Sequence, residues 1–430
     1  MTRRDRGAHV AALALGALVL AAACGRAPDR RSYVERAVAL APEIEEATGM
    51  RFVSPPKVEV RTHEQVRAFV ERELQDSLAR EDVVGLEAVY KRFGLVPDSV
   101  DLRALLTRVL AQQVVGYYDP RSKTLYVVEG ADSAAAETTL RHELVHALQD
   151  QHVNVDSLQR LPGENDATTA VHAALEGMAT FVQFGTGGVA IRAPGTWERV
   201  RASIRENMER TPVLADAPFI VRETMLFPYL SGAEMARRAA DHGGSDSLLA
   251  RLPRSTEQVM HADAYYGKNG GPPDAPTAVT LPTPSVGRVV HANTLGEFET
   301  RLLLFHHLQD LDRAARGAGG WDGDRVAVVR TPQGDAVVWV TVWDTEVDAA
   351  EFYDAMSDVV SHRYEGVNPT EPAPGAKAPN AGSSRQWSAG PRAVFLRGTS
   401  IGGRPAVMYL DAPTGVPATL IDLTKVTLRE

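Results

Sequence analysis

The amino-acid sequence predicts an α+β fold in two unequal parts, a mainly helical part with a small sheet followed by a smaller α+β domain. Apolar residues recur at intervals of three and four over much of residues 57–270, which is typical of helices. Residues 271–287 are rich in Gly and Pro and predict a connection. Residues 288–430 alternate between strand and helix patterns. With 430 residues, the chain is long enough for two domains with substantial cores.

The first 23 residues have the composition of an export signal. Arg3, Arg4 and Arg6 precede an apolar run at residues 9–23 that is too short to span a membrane comfortably. Three alanines then stand before Cys24, the only cysteine in the chain. This pattern is typical of a bacterial lipoprotein signal cleaved before Cys24. We therefore expect Cys24 to carry a lipid and to anchor the protein in the bacterial cell envelope. The alternative is a secretory signal followed by an idle cysteine.

The charge of the chain limits its partners. The formal net charge is −9 at pH 7. Residues 1–23 contain three Arg and one Asp, a net charge of +2, so removal of the signal leaves about −11. An acidic surface is not attracted to the phosphates of nucleic acid or to anionic lipid. We therefore expect no nucleic-acid partner, and membrane attachment requires the lipid anchor.

The helical part begins after a tether. Residues 24–56 predict a polar tether followed by an N-terminal helix, and residues 57–62 alternate like a strand. Several helical patterns separate this strand from residues 114–118 and 124–128, which predict two further strands. Residues 119–123 between them have the composition of a hairpin turn. The sequence therefore predicts a small sheet directly before the next helix.

That next helix carries the HExxH pattern His142-Glu143-Leu144-Val145-His146. The surrounding residues 134–151 contain neither Gly nor Pro, so we expect them to be helical. Residues four apart lie one turn along the same face, so His142 and His146 can offer two imidazoles to one metal ion. Glu143 lies one step around the helix, where a carboxylate can act as a general base for water without being a ligand. The apolar side, formed by Leu140, Leu144 and Leu148, predicts a helix that buries one side and presents the other.

A catalytic zinc ion usually has three protein ligands, and two residues compete for the third place. His152 stands six residues after His146, which is the spacing of the metzincin motif HExxHxxGxxH. That motif turns at its Gly, and this chain has Gln149 there, so a continuous helix would carry His152 away from the metal. Glu176 lies on the next predicted helix, for which Asp166 is a plausible N-cap.

The chain resembles the gluzincins, the thermolysin-like zinc peptidases in which a Glu on the next helix completes HExxH. It is also similar to a family of predicted bacterial gluzincin-like lipoproteins over roughly residues 50 to 345. The matching segments are GYYDP at residues 116–120, HELVHALQDQH at 142–152, EGMAT at 176–180 and STEQVMH at 255–261.

The resemblance implies a zincin-like metallopeptidase domain over residues 57–270 that acts on a peptide or protein substrate. It implies that His142, His146 and Glu176 bind Zn²⁺ and that Glu143 is the catalytic base. It further implies that an edge strand of the small sheet pairs with extended substrate. Thermolysin-like enzymes commonly orient a ligand histidine with an Asp four residues after the ligand Glu. Here that position is Thr180, whose hydroxyl can also accept an imidazole N–H.

Thermolysin-like sites also need a donor to the oxyanion of the transition state, which a His or Tyr commonly supplies. His261 is our first candidate because it lies in a polar and aromatic stretch, and Tyr265 is the second. The alternative for His261 is a surface or structural histidine. A rival class for the whole protein is a lipid-anchored zinc-binding protein that serves in envelope binding or assembly without turnover.

The C-terminal domain, residues 288–430, predicts a helix, a hairpin, a second helix and two returning strands. The hairpin covers residues 325–343, the second helix covers 346–363, and the strands lie at 393–397 and 406–410. Nothing in this segment indicates a particular chemistry. We therefore expect a small α+β domain.

Overall fold

The computed structural model describes residues 32–429 except 63, 67, 70–80, 112–115, 130–132, 159–162, 192, 365–366 and 371–382. The signal segment at residues 1–23 and Cys24 therefore lie outside the described residues. The described chain is a mixed α+β structure with a helical N-terminal part and a sheet-rich C-terminal domain, as the sequence predicted. Within these residues, none of the helices combines the length and apolarity that crossing a membrane requires.

The helices are named here in chain order. They are α1 (Tyr33–Thr48), α2 (Glu81–Phe93), α3 (Leu102–Ala111), α4 (Ser133–His152), α5 (Val155–Leu158), α6 (Asn165–Thr186), α7 (Thr196–Glu209), α8 (Pro212–Ala215), α9 (Phe219–Phe227), α10 (Ala233–Asp241), α11 (Asp246–Ala250), α12 (Thr256–Met260), α13 (Ala262–Tyr266), α14 (Gly296–Leu308), α15 (Leu311–Ala318) and α16 (Glu346–Arg363). A π-helix, Pro228–Gly232, joins α9 to α10, and short 3₁₀ turns lie at Lys268–Gly270 and Leu423–Lys425.

The strands form three sheets. They are β1 (Lys57–Arg61), β2 (Gly116–Asp119), β3 (Thr124–Val128), β4 (Ala278–Thr280), β5 (Arg288–Asn293), β6 (Trp321–Thr331), β7 (Gly334–Trp343), β8 (Ser384–Ala389), β9 (Arg392–Ile401), β10 (Arg404–Pro413) and β11 (Thr427–Arg429). The helical part contains a sheet of order β1-β3-β2, with β1 parallel and β2 antiparallel to β3. The C-terminal domain contains an antiparallel sheet of order β5-β6-β7-β10-β9-β8, and β4 pairs with β11.

Helix α4 is buried around its whole circumference along residues 139–150. The sequence predicted one buried side formed by the leucines, and the structure covers the other side as well. The helix packs against α1, α6, β2 and β3, so the polar residues opposite its leucines face other elements instead of water. Polar side chains on a helix that is covered on all sides must find their partners inside the protein.

The N-terminal helix α1 packs against the helical part of the chain. Helix α1 begins with a capping box between Ser32 and Glu35 and ends at Gly49 in the left-handed conformation. It packs against α4 and α6, with Ala37 and Ile44 fully buried. The connection at residues 271–287 likewise contains a strand, β4, that belongs to the C-terminal domain through its pairing with β11.

The two parts share one hydrophobic core. One face of the large sheet, with α14, α15 and α16, buries its apolar residues in the cluster that also contains the core of the helical part. At the junction, the Phe93 ring contacts Trp339 and Tyr409 at centroid distances of 5.3 and 5.4 Å. His307 donates its Nε2–H to the Phe93 carbonyl over 2.8 Å. The opposite face of the sheet has a second, smaller core.

Candidate metal centre

His142, His146 and Glu176 converge at the contact between α4 and α6. The Nε2 atoms of His142 and His146 lie 3.1 and 3.5 Å from the same Glu176 oxygen, Oε2. Their ligand atoms all lie within 4.8 Å of one another, and the three residues are 1 to 4% exposed. Atoms held tetrahedrally at about 2.0 to 2.2 Å from a zinc ion lie about 3.3 to 3.6 Å apart. The arrangement therefore has the size of a zinc site.

The side-chain amide of Gln149 determines which nitrogen of His146 faces Glu176. Gln149 donates its Nε2–H to the Leu175 carbonyl over 2.9 Å, so its Oε1 must be the atom that lies 2.9 Å from His146 Nδ1. His146 therefore donates from Nδ1 and directs the lone pair of Nε2 at a carboxylate oxygen. Two electron-rich atoms at this distance repel unless a proton or a metal ion lies between them. The donor set thus fits a cation.

His142 is oriented in the same manner by Gln183, whose Oε1 lies 2.9 Å from His142 Nδ1. The structure thus gives to Gln183 the position that sequence reasoning assigned to Thr180. Residues seven apart on a helix return to nearly the same face, and Gln183 follows Glu176 by seven. A search of α6 at that spacing would have found it. Metal-bound histidines are usually held through their second nitrogen in this manner.

The electrostatics of the group favour a positive charge between the rings and the carboxylate. Burial works against the charged imidazolium of His146, but the facing Glu176 carboxylate outweighs it and raises the pKa of His146 to about 9. Burial also works against ionised Glu176, yet His146 and His142 hold the pKa of that carboxyl well below its ordinary value. The site therefore keeps an anionic carboxylate in a dry environment.

His172 is a neighbour that sequence reasoning missed. Its Nε2 lies 3.6 Å from Glu176 Oε1, one turn earlier on α6. Burial lowers the pKa of His172, because the charged ring would lose its water. A neutral imidazole next to the ligand carboxylate results. The i, i+4 spacing from Glu176 was the signal that could have identified it.

Glu143 lies beside the ligand group and is 1% exposed. Its Oε2 accepts a 2.7 Å hydrogen bond from the backbone N–H of Tyr118 on the edge strand β2. The Tyr118 hydroxyl in turn donates to Asp150 Oδ2 over 2.8 Å, and Lys123 Nζ binds the same oxygen at 2.7 Å. The strand is thus attached to α4 at two positions, which fixes the carboxylate of Glu143 relative to the sheet.

Tyr229, on the π-helix, is the hydroxyl that the fold brings to this group. Its ring stacks near His142 at a centroid distance of 6.5 Å, and its hydroxyl hydrogen-bonds Glu176. Burial, followed by the negative charges of Glu176 and Glu143, raises the pKa of Tyr229 well above its ordinary value. Tyr229 is therefore a neutral hydrogen-bond donor. Sequence reasoning did not identify it, because no periodicity in residues 219–241 indicates a π-helix.

Two glycines allow the π-helix to lie this close to α6. A Cβ built on Gly177 would lie 2.0 Å from the backbone carbon of Gly232, and one on Gly232 would lie 2.0 Å from the Ala173 carbonyl oxygen. Both positions therefore require glycine. Gly177 directly follows Glu176, so this backbone contact sets the distance between Tyr229 and the ligand carboxylate. Insertions of this helix type are frequent at functional sites.

The other sequence candidates lie elsewhere. His261 Nε2 lies 2.9 Å from Glu297 Oε1, and His261 lines a cavity of about 770 Å³ with residues of α12 and the connection. The Tyr265 hydroxyl donates to the Arg251 carbonyl. His152 is exposed and donates from Nε2 to the Arg51 carbonyl over 2.8 Å. None of these contacts involves the ligand group.

His261 lies away from the ligand group because α12, the helix before it, is fixed at the other end of α6. Thr256, at the start of α12, binds Asp166 through its hydroxyl and its backbone N–H. Asp166 therefore does not cap α6 as expected; the helix begins at Asn165, with Glu164 at the N-cap. This contact ties α12 to the first turn of α6, ten residues or about 15 Å along the helix from Glu176.

Residues 285–397 match a family described as a domain of unknown function, DUF8575. The match covers β5 to the first half of β9 and includes none of the residues of the ligand group. No curated protein and no solved structure matches the chain.

Proposed function

We propose that the protein is a zinc-dependent peptidase of the gluzincin type, with His142, His146 and Glu176 as the metal ligands. The observation that carries this proposal is the convergence of two imidazole Nε2 atoms on one buried carboxylate oxygen. The histidine orientation set by Gln149 supports a cation there. The HExxH pattern supplies the remaining argument, because it adds a carboxylate that is adjacent to the ligands without belonging to their group.

In the proposed reaction, the residues of the chain position and move protons. Bound zinc would polarise the scissile carbonyl and lower the pKa of water at the site. Glu143 accepts the proton of the attacking water and delivers it to the leaving amine. Tyr229 donates a hydrogen bond to the developing oxyanion in place of its hydrogen bond to Glu176, the role that sequence reasoning had offered to His261 or Tyr265. The high pKa of Tyr229 keeps its hydroxyl hydrogen in place at neutral pH.

The edge strand β2 is the proposed site for the substrate backbone, by strand addition. Among the described residues, its hydrogen-bonded neighbour in the sheet is β3. The Tyr118 N–H is already bound to Glu143, so an added peptide would pair beside this hydrogen bond. Substrate alignment and the position of the base are then set by the same strand.

The second candidate is a lipid-anchored zinc-binding protein that acts in envelope binding or assembly and has little or no turnover. The burial of the ligand group and of Glu143 favours this alternative, because structural zinc sites are closed and catalytic sites keep an open position.

Replacement of Glu143 by Gln distinguishes the two functions. We expect zinc content to be unchanged and peptide hydrolysis to fall by at least about a hundredfold, because the amide cannot accept the water proton. The measurement is cleavage of a broad peptide library by zinc-loaded protein, with metal content determined by mass spectrometry. Glu137→Gln is the matched control, since Glu137 lies on the same helix and binds Arg141 instead of the ligand group.

Cleavage that persists at the wild-type rate in Glu143→Gln would contradict the mechanism. A wild-type protein that binds zinc and cleaves no member of the library would support the binding protein instead.

We propose further that the chain is exported and anchored through a lipid on Cys24, on the basis of the sequence pattern at residues 1–24. We expect the wild-type protein to partition into the detergent phase, and Cys24→Ser to move it to the aqueous phase. Detergent partition that is identical in this variant would indicate a retained apolar segment in place of a lipid.

A further inference from the structure

A second group of acidic side chains lies away from the zinc ligands. Glu257 on α12, Asp274 in the connection and Asp344 after β7 come from three separate segments, and their ligand oxygens all lie within 4.8 Å of one another. All three line the cavity of about 770 Å³ beside His261. Such close carboxylates repel one another unless a positive charge lies between them.

Glu257 is the buried member of this group. It is 6% exposed and lines the cavity, and within the described residues its carboxylate has no hydrogen bond and no ion pair. Ionisation of a largely buried carboxyl without a partner is unfavourable, so Glu257 holds a proton unless a cation approaches. Burial first, and then the charges of Glu297, Asp274 and Asp344, raise the pKa of Glu257 to about 10.

A second buried carboxylate lies nearby. Glu297 is 2% exposed; its Oε1 contacts His261, while its Oε2 has no hydrogen-bond partner among the described residues. Arg404, whose charge acts on Asp344, forms an ion pair with Asp322. Lys268 and His261 are the basic side chains among the lining residues, and the hydrogen bond to Glu297 raises the pKa of His261. Acidic side chains outnumber basic ones in the lining, with Glu257, Asp263, Asp274 and Asp344 against Lys268 and His261.

We propose that Glu257, Asp274 and Asp344 form a binding site for Ca²⁺. The group offers only carboxylate oxygens, which are the ligands of hard cations and not of zinc or copper. Two oxygens on opposite sides of Ca²⁺ lie up to about 5 Å apart, and the cavity has room for the additional waters that complete six to eight ligands. Mg²⁺ is usually held by one or two carboxylates in a stricter octahedron, so three carboxylates from separate segments favour Ca²⁺.

The ion would join the helical part to the C-terminal domain. Glu257 belongs to the helical part, Asp274 to the connection and Asp344 to the end of β7. Binding to the folded state alone raises its stability by mass action. His261 then holds Glu297 next to the site. This role is independent of the proposed peptidase activity.

The test uses the full-length purified protein, loaded with zinc and dialysed against calcium-free buffer. Calcium binding is measured by isothermal titration calorimetry. Thermal unfolding is measured with and without 2 mM CaCl₂, a concentration at least about a hundred times a Kd in the micromolar range. The variants are Asp344→Asn, at an exposed residue, and Glu257→Gln, which keeps the size of the buried side chain. The matched control is Asp354→Asn, which removes the same charge from an exposed position of α16.

We expect wild type and Asp354→Asn to bind one Ca²⁺ per chain. Calcium should raise the unfolding temperature of both by at least about 2 °C. Asp344→Asn and Glu257→Gln should each weaken binding by at least about tenfold and lose the thermal shift, because each removes a ligand charge. The proposal is overturned if wild type binds no calcium or if both variants bind it as wild type does. Equally tight binding of Mg²⁺ at the same residues would overturn the assignment to Ca²⁺.

Discussion

Glu176 is the residue on which the proposed metal centre depends most. It supplies the only carboxylate of the ligand group, and both ligand histidines face its Oε2 atom. His172 adds a neutral imidazole on the far oxygen, and Tyr229 adds a hydroxyl. Removal of this carboxylate would leave two imidazoles without the third ligand, which is too few for tight zinc binding.

We therefore expect Glu176→Ala to lose most of the bound zinc, and His152→Ala to keep it, because His152 binds the Arg51 carbonyl at the surface. The measurement is the zinc content of the two purified variants after dialysis. A full complement of zinc in Glu176→Ala, together with loss of zinc in His152→Ala, would reverse the assignment of the third ligand.

For single residues, spacing along one helix was enough to predict that His142, His146 and Glu143 lie together. Gln149, in place of the metzincin glycine, was enough to predict that His152 lies elsewhere. Glu176 required the family resemblance as well. Tyr229 and His261 could not be placed, because their positions depend on how separate helices pack. A polar and aromatic neighbourhood in the sequence gives a residue type but no distance.

The elements that form the site are α4, α6 and the π-helix, and the contact between the last two is made through backbone atoms. Gly177 and Gly232 face each other with no space for a side chain. Sequence periodicity predicted both helices but not this contact, since glycine in a helix pattern only lowers the propensity of the helix. The same limit applies to α4, whose apolar stripe indicated one buried side, while the packing of four other elements buried the rest.

Two Gly→Ala substitutions in α6 should therefore have opposite effects. Gly177→Ala places a Cβ 2.0 Å from the Gly232 backbone, so we expect destabilisation by at least about 2 kcal/mol and displacement of Tyr229. Gly185→Ala places a Cβ 3.9 Å from Ile191, an ordinary contact, so we expect no loss and up to about 1 kcal/mol of gain. Chemical denaturation of both variants measures the difference. Equal stabilities would show that the two helices separate without cost.

For the molecule as a whole, the shared core makes the two parts one structural unit. Phe93 of α2 lies against Trp339 and Tyr409 of the large sheet, and α14 contacts both parts. The sequence predicted the helical N-terminal part and a C-terminal α+β domain with its hairpin, because hairpin and helix patterns are local. It did not predict the common core, since nothing local shows which face of a sheet another part of the chain covers.

The junction also makes stability depend on pH. Glu299 of α14 is buried between Tyr90 and Asn165, and burial raises its pKa to about 8. The folded protein therefore keeps a proton that the unfolded chain releases above about pH 4.5. This contribution to the free energy of unfolding is complete below about pH 4.5 and is lost as pH rises from there through about 8. The total loss is a few kcal/mol.

We expect Glu299→Gln, which cannot ionise, to show a smaller loss of stability between pH 5 and 8 than wild type. The measurement is urea unfolding across this range in calcium-free buffer. Glu46→Gln, at an exposed position of α1, is the matched control and should retain the wild-type slope. An unchanged slope in Glu299→Gln would exclude this carboxyl as the source.

The shared core also has an evolutionary meaning. The segment that matches a known domain family, residues 285–397, contains Trp339 but neither Phe93 nor any proposed zinc ligand. Common descent through this segment alone would transmit β5 to β8 and helices α14 to α16, but neither the central strand β10 nor any proposed catalytic group. A relative without the helical part must still cover the apolar surface around Trp339, with another domain, a partner or different residues. Selection can therefore preserve α2 for its packing alone, even in a lineage that has lost the HExxH helix.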